Sequence, residues 1–183
     1  MVSEATETKE SKEQGQASSE EEMLKNLVGK VISKSKVVIE RGPVSFFAEA
    51  VKSTSPIYRN AEKAKEAGLP GIPAPPTYPF SMESWGKFQE LQPEDAPTGS
   101  PIATVLGPLM AKGGLVLHGE QEFIYHRPIF VGDVLIGVGK VAEAYQKESK
   151  GKTMSFVVTE TEWTDEKTGE LVVTSRFNVL HRI

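Results

Sequence analysis

The sequence predicts an α+β fold in which one antiparallel sheet wraps around a central buried helix. Three observations carry this reading. Four runs in the second half, Leu115–His126, Val134–Tyr145, Thr153–Thr164 and Leu171–Ile183, are strand-like, with side chains alternating at a period of two. Their separators are short and turn-forming, and short connections favour antiparallel pairing because a parallel crossover needs about a dozen residues or more. Ahead of them Tyr78, Met82, Trp85, Phe88 and Leu91 recur at helical spacing, which marks the helix to be buried. Helices segregated from a run of strands define α+β.

The remaining elements follow in chain order. Leu24–Leu27 is a short amphipathic turn ended by Gly29, and Val31–Glu40 is a strand rich in β-branched residues. Arg41–Gly42–Pro43 breaks it, and Pro43 suits the first turn of a helix whose apolar face holds Phe46, Phe47, Ala50 and Val51. Pro56 biases Ser55 toward an extended conformation and makes Ser53–Tyr58 a polar elbow. A second helix, Ala61–Ala67, stops at Gly68. The proline-rich stretch from Leu69 to Pro76 is a stiff connector, after which Thr77 is placed to cap the long helix. At its spacing Trp85 and Phe88 read as core residues. Gln92–Gly99 is a polar, proline-rich loop. Pro101–Met110 is a further short helix, closed by Lys112–Gly113–Gly114.

Composition excludes several function classes. The 183 residues carry a net charge of −4, no cysteine and 38% hydrophobic residues, which fits one soluble domain. Disulfides, thiolate metal sites and a thiol nucleophile are excluded. No apolar run reaches the roughly 18 residues of a membrane span, and no basic cluster offers a footprint for nucleic acid. The N-terminus lacks the features of a signal peptide, so the expected compartment is cytoplasmic. Residues 1–22 hold seven glutamates against two lysines and almost no large apolar residue. Such a segment buries too little surface to offset its ordering entropy, so 1–22 is predicted to be a disordered acidic tail and 23–183 the folded domain.

The chemistry-bearing residues are few. His118, His126 and His181 are isolated, with no HxH or HxxxH pair, so no metal is expected. There is no GxSxG elbow. Gly137–Val138–Gly139 lies within a strand and lacks the third glycine and following helix of a dinucleotide site, so no cofactor is expected. His118 and Glu120 stand two apart and are predicted to share a sheet face, where they would serve either as a general acid–base pair or simply as hydrogen-bonded surface groups.

The segments FAEAVKSTSPIY (Phe47–Tyr58), Ala74–Pro75–Pro76–Thr77 and LHGEQEFIYHRPIFVGDVL (Leu117–Leu135) together resemble the N-terminal, fatty-acid-synthase-like dehydratase domain of the MaoC family, over Leu24 to the C-terminus. The resemblance implies a single hot-dog fold and an (R)-specific hydratase or dehydratase acting on an acyl thioester of coenzyme A or acyl carrier protein. Catalytic members of that family carry D-x-N-P-L-H at the elbow, and a backbone N–H at the start of the buried helix polarises the thioester carbonyl. Aligned on Pro56, this chain has Ser53 for the Asp, Ser55 for the Asn and Tyr58 for the His. Neither a serine hydroxyl nor a tyrosine with a pKa of about 10 takes a proton from water near neutrality.

The resemblance therefore implies a non-catalytic, acyl-tunnel-shaping half of a double hot dog. Its partner, in a heterodimer or heterotetramer, would be a MaoC-type subunit that supplies the Asp/His dyad. Ser53, Ser55, Tyr58, Pro76, Thr77 and Tyr78 are the expected substrate contacts. Two alternatives stand beside it. One is a self-sufficient homodimeric hydratase or thioesterase using His118 with Glu120, or Glu83 on the buried helix. The other is a non-enzymatic acyl-thioester-binding or scaffold protein.

Overall fold

Five antiparallel strands form one sheet in the order β1-β3-β4-β5-β2, where β1 is Val31–Val38, β2 Leu115–Tyr125, β3 Val134–Ser149, β4 Lys152–Asp165 and β5 Leu171–Arg182. The structure, a computed structural model, describes residues 20–149 and 151–183. Four helices lie between β1 and β2: α1 (Arg41–Ala50), α2 (Ala61–Glu66), α3 (Met82–Gly86) and α4 (Pro101–Met110). The predicted strands and the helices at 61–66 and 101–110 all stand where the sequence places them, within a few residues.

Successive strands do not all pair. The turns β3–β4 and β4–β5 close hairpins, but β2 pairs with β5 at the far edge and β1 takes the place beside β3. The connection from β2 to β3 is too committed elsewhere to be a hairpin. Phe130 bridges to Pro73 in the proline-rich connector. Arg127 donates to Asp133 (2.6 Å) and to Asp165 (2.9 Å), tying this connection to the end of β4. Backbone hydrogen bonds from Thr168 and Lys167 hold the Asp165 carboxyl below its ordinary range, with Arg127 adding to the effect.

The long buried helix is three pieces: a 3₁₀ turn at Tyr78–Phe80, α3, and a 3₁₀ turn at Gln89–Leu91. Tyr78 and Met82 are buried, but Trp85 and Leu91 are exposed. Two local causes are visible. Thr77 makes no capping hydrogen bond, and Pro79 occupies the first turn, where helical bonding has not begun. Gly86 then brings α3 so close to β1 that an added Cβ would overlap the carbonyl oxygen of Val38. Helix α1 is likewise rotated from expectation. It buries Val44 and Ala48, and leaves Phe46 exposed with its ring edge-on to Trp85 at 5.7 Å. Helix α2 is capped by Asn60, whose Oδ1 accepts from the backbone N–H groups of Glu62 and Lys63.

Two apolar clusters flank the helix-facing side of the sheet. One gathers Val37, Val44, Tyr78, Met82, Leu135 and Trp163. The other gathers Leu24, Ile32, Leu106, Leu109, Val157 and Val179. Residues 1–19 of the expected tail lie outside the described residues. Residues 20–25 are helical, and Glu20 is 9% exposed, so the order expected from residue 23 already includes Glu20–Glu22. The Glu20 carboxylate pairs with Lys112 and accepts from Ser155 (2.8 Å) and Gln146 (2.6 Å). Burial pushes that carboxyl up, but these partners outweigh it and hold it below the ordinary range.

Candidate functional site

A cleft of about 320 Å³ lies between the two clusters, floored by the sheet and walled by Pro79, Phe80 and Glu83 on one side and by Ser100, Pro101, Ile102 and Val105 on the other. The strand register explains its floor, because directly opposed residues share a face. Ser35, Gly137, Trp163, Val173 and Tyr125 form one cross-strand row, and Ser33, Gly139, Thr161, Ser175 and Phe123 the next. Val141, Thr159, Phe177 and Gln121 form a third. The glycines missing from any dinucleotide motif find their use here. A Cβ at Gly137 would sit 2.5 Å from the Trp163 ring, and one at Gly139 would collide with the Ser33 hydroxyl. Both keep the floor low enough to leave a cavity.

The cleft wall holds one carboxylate, Glu83. It accepts from the Ser35 hydroxyl (2.6 Å) and pairs with Lys87 at 3.6 Å. No histidine lines the cleft with it.

His118 and Glu120 do not share a face. The register slips at Gly119, so His118 opposes Val179 on the helix side whereas Glu120 opposes Asn178 on the other side. There the His118 ring stacks on Phe80 (5.6 Å) and meets Phe177 edge-on (4.6 Å). Glu120 lies with Glu122, Tyr145 and Arg176. His126 is exposed. His181 is buried, and its Nε2 lies 2.6 Å from the carbonyl oxygen of Gly113, fastening the end of α4 to the last strand.

The elbow sits at the end of β2. Its backbone leaves α1 through Lys52 in the left-handed region (φ 56°), and Ser53 N–H bonds back to the Ala48 carbonyl at 2.8 Å. Ser55 is extended before Pro56, as predicted, and Pro56–Tyr58 is a 3₁₀ turn. The Tyr125 hydroxyl donates to the Pro76 carbonyl (2.9 Å), joining the connector to the edge strand. Burial, then the neighbouring Tyr58, pushes the Tyr125 phenol above its ordinary value. Tyr78 is fully buried, its hydroxyl has no hydrogen-bond partner among the described residues, and burial followed by Glu40 pushes its pKa up to about 12. Phenols raised in this way stay protonated near neutrality and serve as donors, not bases.

Ser53, Ser55 and Tyr58 are half-buried, and Pro76 and Thr77 are exposed. None of these, nor Tyr78, lines the cleft, whereas the next two residues, Pro79 and Phe80, do. The floor residues Ser33, Thr161, Trp163, Ser175 and Gln121 escaped sequence reasoning. Their signal is present in the strand alternation, since Thr159, Thr161 and Trp163 stand at i, i+2 and i+4. It says that they share a face, not that a cavity opens above them.

Among the described residues no group of three or more His, Asp or Glu side chains is placed to hold a metal ion, and no helix is long and apolar enough to cross a membrane.

Residues 26–175 match the family described as the FAS1-like dehydratase domain region. A UPF0336 protein of Saccharopolyspora erythraea is 37% identical over 97 residues, 53% of this chain and 54% of that protein. The chain thus spans about half the length of the first curated relatives it matches. A UPF0336 protein of Parafrankia sp. (strain EAN1pec) is 31% identical over 146 residues, covering 79% of this chain and 83% of that one. Among solved structures, the ChsH1–ChsH2 complex from Mycobacterium tuberculosis aligns with a TM-score of 0.69 at 20% identity, over 90% of this chain and 92% of that chain. The HadBC (3R-hydroxyacyl-ACP dehydratase) complex from the same organism aligns with a TM-score of 0.61 at 19% identity, over 84% and 96%. A MaoC-like dehydratase from Rhodospirillum rubrum gives 0.56 at 14% identity, over 84% and 91%. At these identities the structural likeness is one of fold. With its sheet, its cleft and these matches together, the chain belongs to the FAS1-like dehydratase-region family, shares membership with the UPF0336 proteins, and has the hot-dog fold of the MaoC-like dehydratases.

Proposed function

We propose that this chain is the acyl-binding, non-catalytic half of a heteromeric (R)-specific enoyl-thioester hydratase or 3-hydroxyacyl-thioester dehydratase. Its partner is a hot-dog subunit that supplies the Asp/His dyad. One observation carries the reading: the fold retains a formed cleft, while among the described residues no acid–base pair lines it. Glu83, the one carboxylate on the cleft wall among the described residues, is engaged by Ser35 and Lys87, and the bulge at Gly119 separates His118 from Glu120.

The sheet edges support a partner. On the outer edge of β1 the Gln92 side-chain amide accepts from Lys36 N–H (3.0 Å) and donates to the Lys36 carbonyl (2.9 Å), occupying the edge at that residue. The other edge is β2, where residues 115–120 are all exposed and include Leu115, Val116 and Leu117. A long, apolar, unpaired edge is a template for strand addition. The elbow lies at the end of this same edge, so a subunit paired there would stand next to Tyr58 and Tyr125. Two of the structural neighbours are complexes named for two components, HadBC and ChsH1–ChsH2. The acyl carrier, coenzyme A or acyl carrier protein, belongs to this proposal, as do the expected substrate contacts at Ser53, Ser55, Tyr58, Pro76, Thr77 and Tyr78.

The test is reconstitution. The chain is mixed with a hot-dog subunit bearing D-x-N-P-x-H, and hydration of enoyl thioesters is followed spectrophotometrically. The mixture should exceed the lone chain by at least about a hundredfold, the low end of what general acid–base catalysis contributes. Robust turnover by the lone chain would overturn the proposal.

A further inference from the structure

We infer that the cleft selects an acyl group that carries an oxygen substituent, a hydroxyl or keto group, partway along an otherwise apolar chain. The inference rests on the reading that the cleft receives an acyl thioester, and it adds which acyl groups are preferred.

The argument starts from the middle of the floor. A core-facing row of a sheet normally carries apolar side chains; the neighbouring row on one side holds Trp163 and Val173, and that on the other holds Val141 and Phe177 together with Thr159 and Gln121. The row crossing the cleft instead reads Ser33, Gly139, Thr161 and Ser175 across four adjacent strands. Three hydroxyls therefore stand in line, and Gly139 leaves the gap between the first two. All three line the cleft. The Ser175 hydroxyl is buried and has no hydrogen-bond partner among the described residues.

A buried hydroxyl without a partner costs folding free energy, so an unpaired one on a cleft-lining residue has a use when a ligand reaches it and supplies the missing partner. A plain alkyl chain would leave it unpaired. A hydroxyl or keto oxygen at the matching depth would pair with it, with Thr161 across the strand as the second group. Such a site discriminates against the analogue that lacks the oxygen more strongly than an apolar pocket discriminates by size.

The experiment measures binding to the full chain by calorimetry. The probes are dodecanoyl-pantetheine and its mono-hydroxy and mono-oxo counterparts, with the oxygen walked along the chain. At least one positional isomer should bind about tenfold more tightly than the plain chain, the increment of one good hydrogen bond. With Ser175→Ala and Thr161→Val together, the ratio of the two affinities should fall to about one. Thermal melting of Ser175→Ala checks the fold, and its midpoint should match or exceed that of the parent because an unsatisfied group is removed. Equal binding of the plain chain and every isomer, with water alone serving the hydroxyls, would overturn this inference but leave the acyl-binding reading intact. A preference that survives the double substitution would also overturn it. Absence of binding by any thioester would overturn the acyl-binding reading and this inference with it.

Discussion

His118 and Glu120 stand on opposite faces of the sheet, because the bulge at Gly119 places His118 opposite Val179 and Glu120 opposite Asn178. The imidazole is held between the Phe80 and Phe177 rings, both of which line the cleft. His118→Phe keeps a ring of similar shape and removes both nitrogens. In the reconstituted pair this variant should retain hydratase activity within about threefold, whereas loss of a general base costs about a hundredfold or more. A drop of that size in kcat, with an unchanged melting temperature, would reinstate the histidine as a proton carrier.

Gly86 offers a sharper test of how the broken helix is seated. An added Cβ would overlap the Val38 carbonyl, which is strand backbone and cannot rotate away. Gly86→Ala should therefore destabilise the fold by roughly 2–3 kcal/mol despite the better helix propensity of alanine, since overpacking outweighs the gain of about 1 kcal/mol. Urea unfolding with an unchanged m-value is the measurement. A neutral or stabilising substitution would mean that α3 is not held against β1.

The reach of sequence reasoning follows the range of the interactions. Period-two alternation marks each strand because it reports one face meeting a core, and the helix expected at Pro101–Met110 forms with the Ser100 hydroxyl accepting from Ala103 N–H at its start. Strand order is another matter. The pairing of Gln92 with Lys36 and the bridge from Phe130 to Pro73 join residues far apart in the chain, and no local pattern records them. The stripe from Tyr78 to Leu91 misleads for a related reason: its first half faces the core, while Trp85 meets Phe46 at the surface. At the site, the replaced elbow residues were legible one by one. The cleft was not, because it depends on Gly137 and Gly139 clearing space for side chains on other strands.

Glu20 shows the same limit at the start of the chain and gives a pH-dependent prediction. Its carboxyl is held below the ordinary range of about 4.3 by Lys112, Ser155 and Gln146 against the opposing effect of burial. The stability that this ionised group contributes is therefore fully present above its unfolded pKa and is lost as pH falls through the depressed folded value. Glu20→Gln should cost roughly 1–2 kcal/mol at pH 7, the scale of hydrogen bonds to a charged group. The gap between parent and variant should narrow between pH 7 and a pH below the depressed folded value, where the parent carboxyl approaches the neutral, amide-like state. Urea midpoints at the two pH values decide it, and a gap independent of pH would show that Glu20 is held by packing and not by charge.

The free edge of β2 yields the prediction that bears most directly on assembly. Leu117 and Ile124 project from the same face of this strand, opposite Leu180 and Thr174, and are 40% and 45% exposed. A strand added along β2 would bring its own side chains against both. Leu117→Lys with Ile124→Lys places two charges on the edge, a device by which sheets prevent strand addition. Because both positions are exposed in the single chain, its melting temperature should change little, within about 0.5 kcal/mol of stability. Binding to the dyad-bearing subunit should weaken by at least about tenfold, the loss expected when interface anchors are removed. Val138→Lys provides the control, since Val138 is exposed on the same face but lies in β3, one strand inward from the opposite edge. Sedimentation velocity of the mixture, with hydration assayed in parallel, reads both effects. Undiminished assembly in the double variant would place the partner on a different surface and remove the edge from the proposed function.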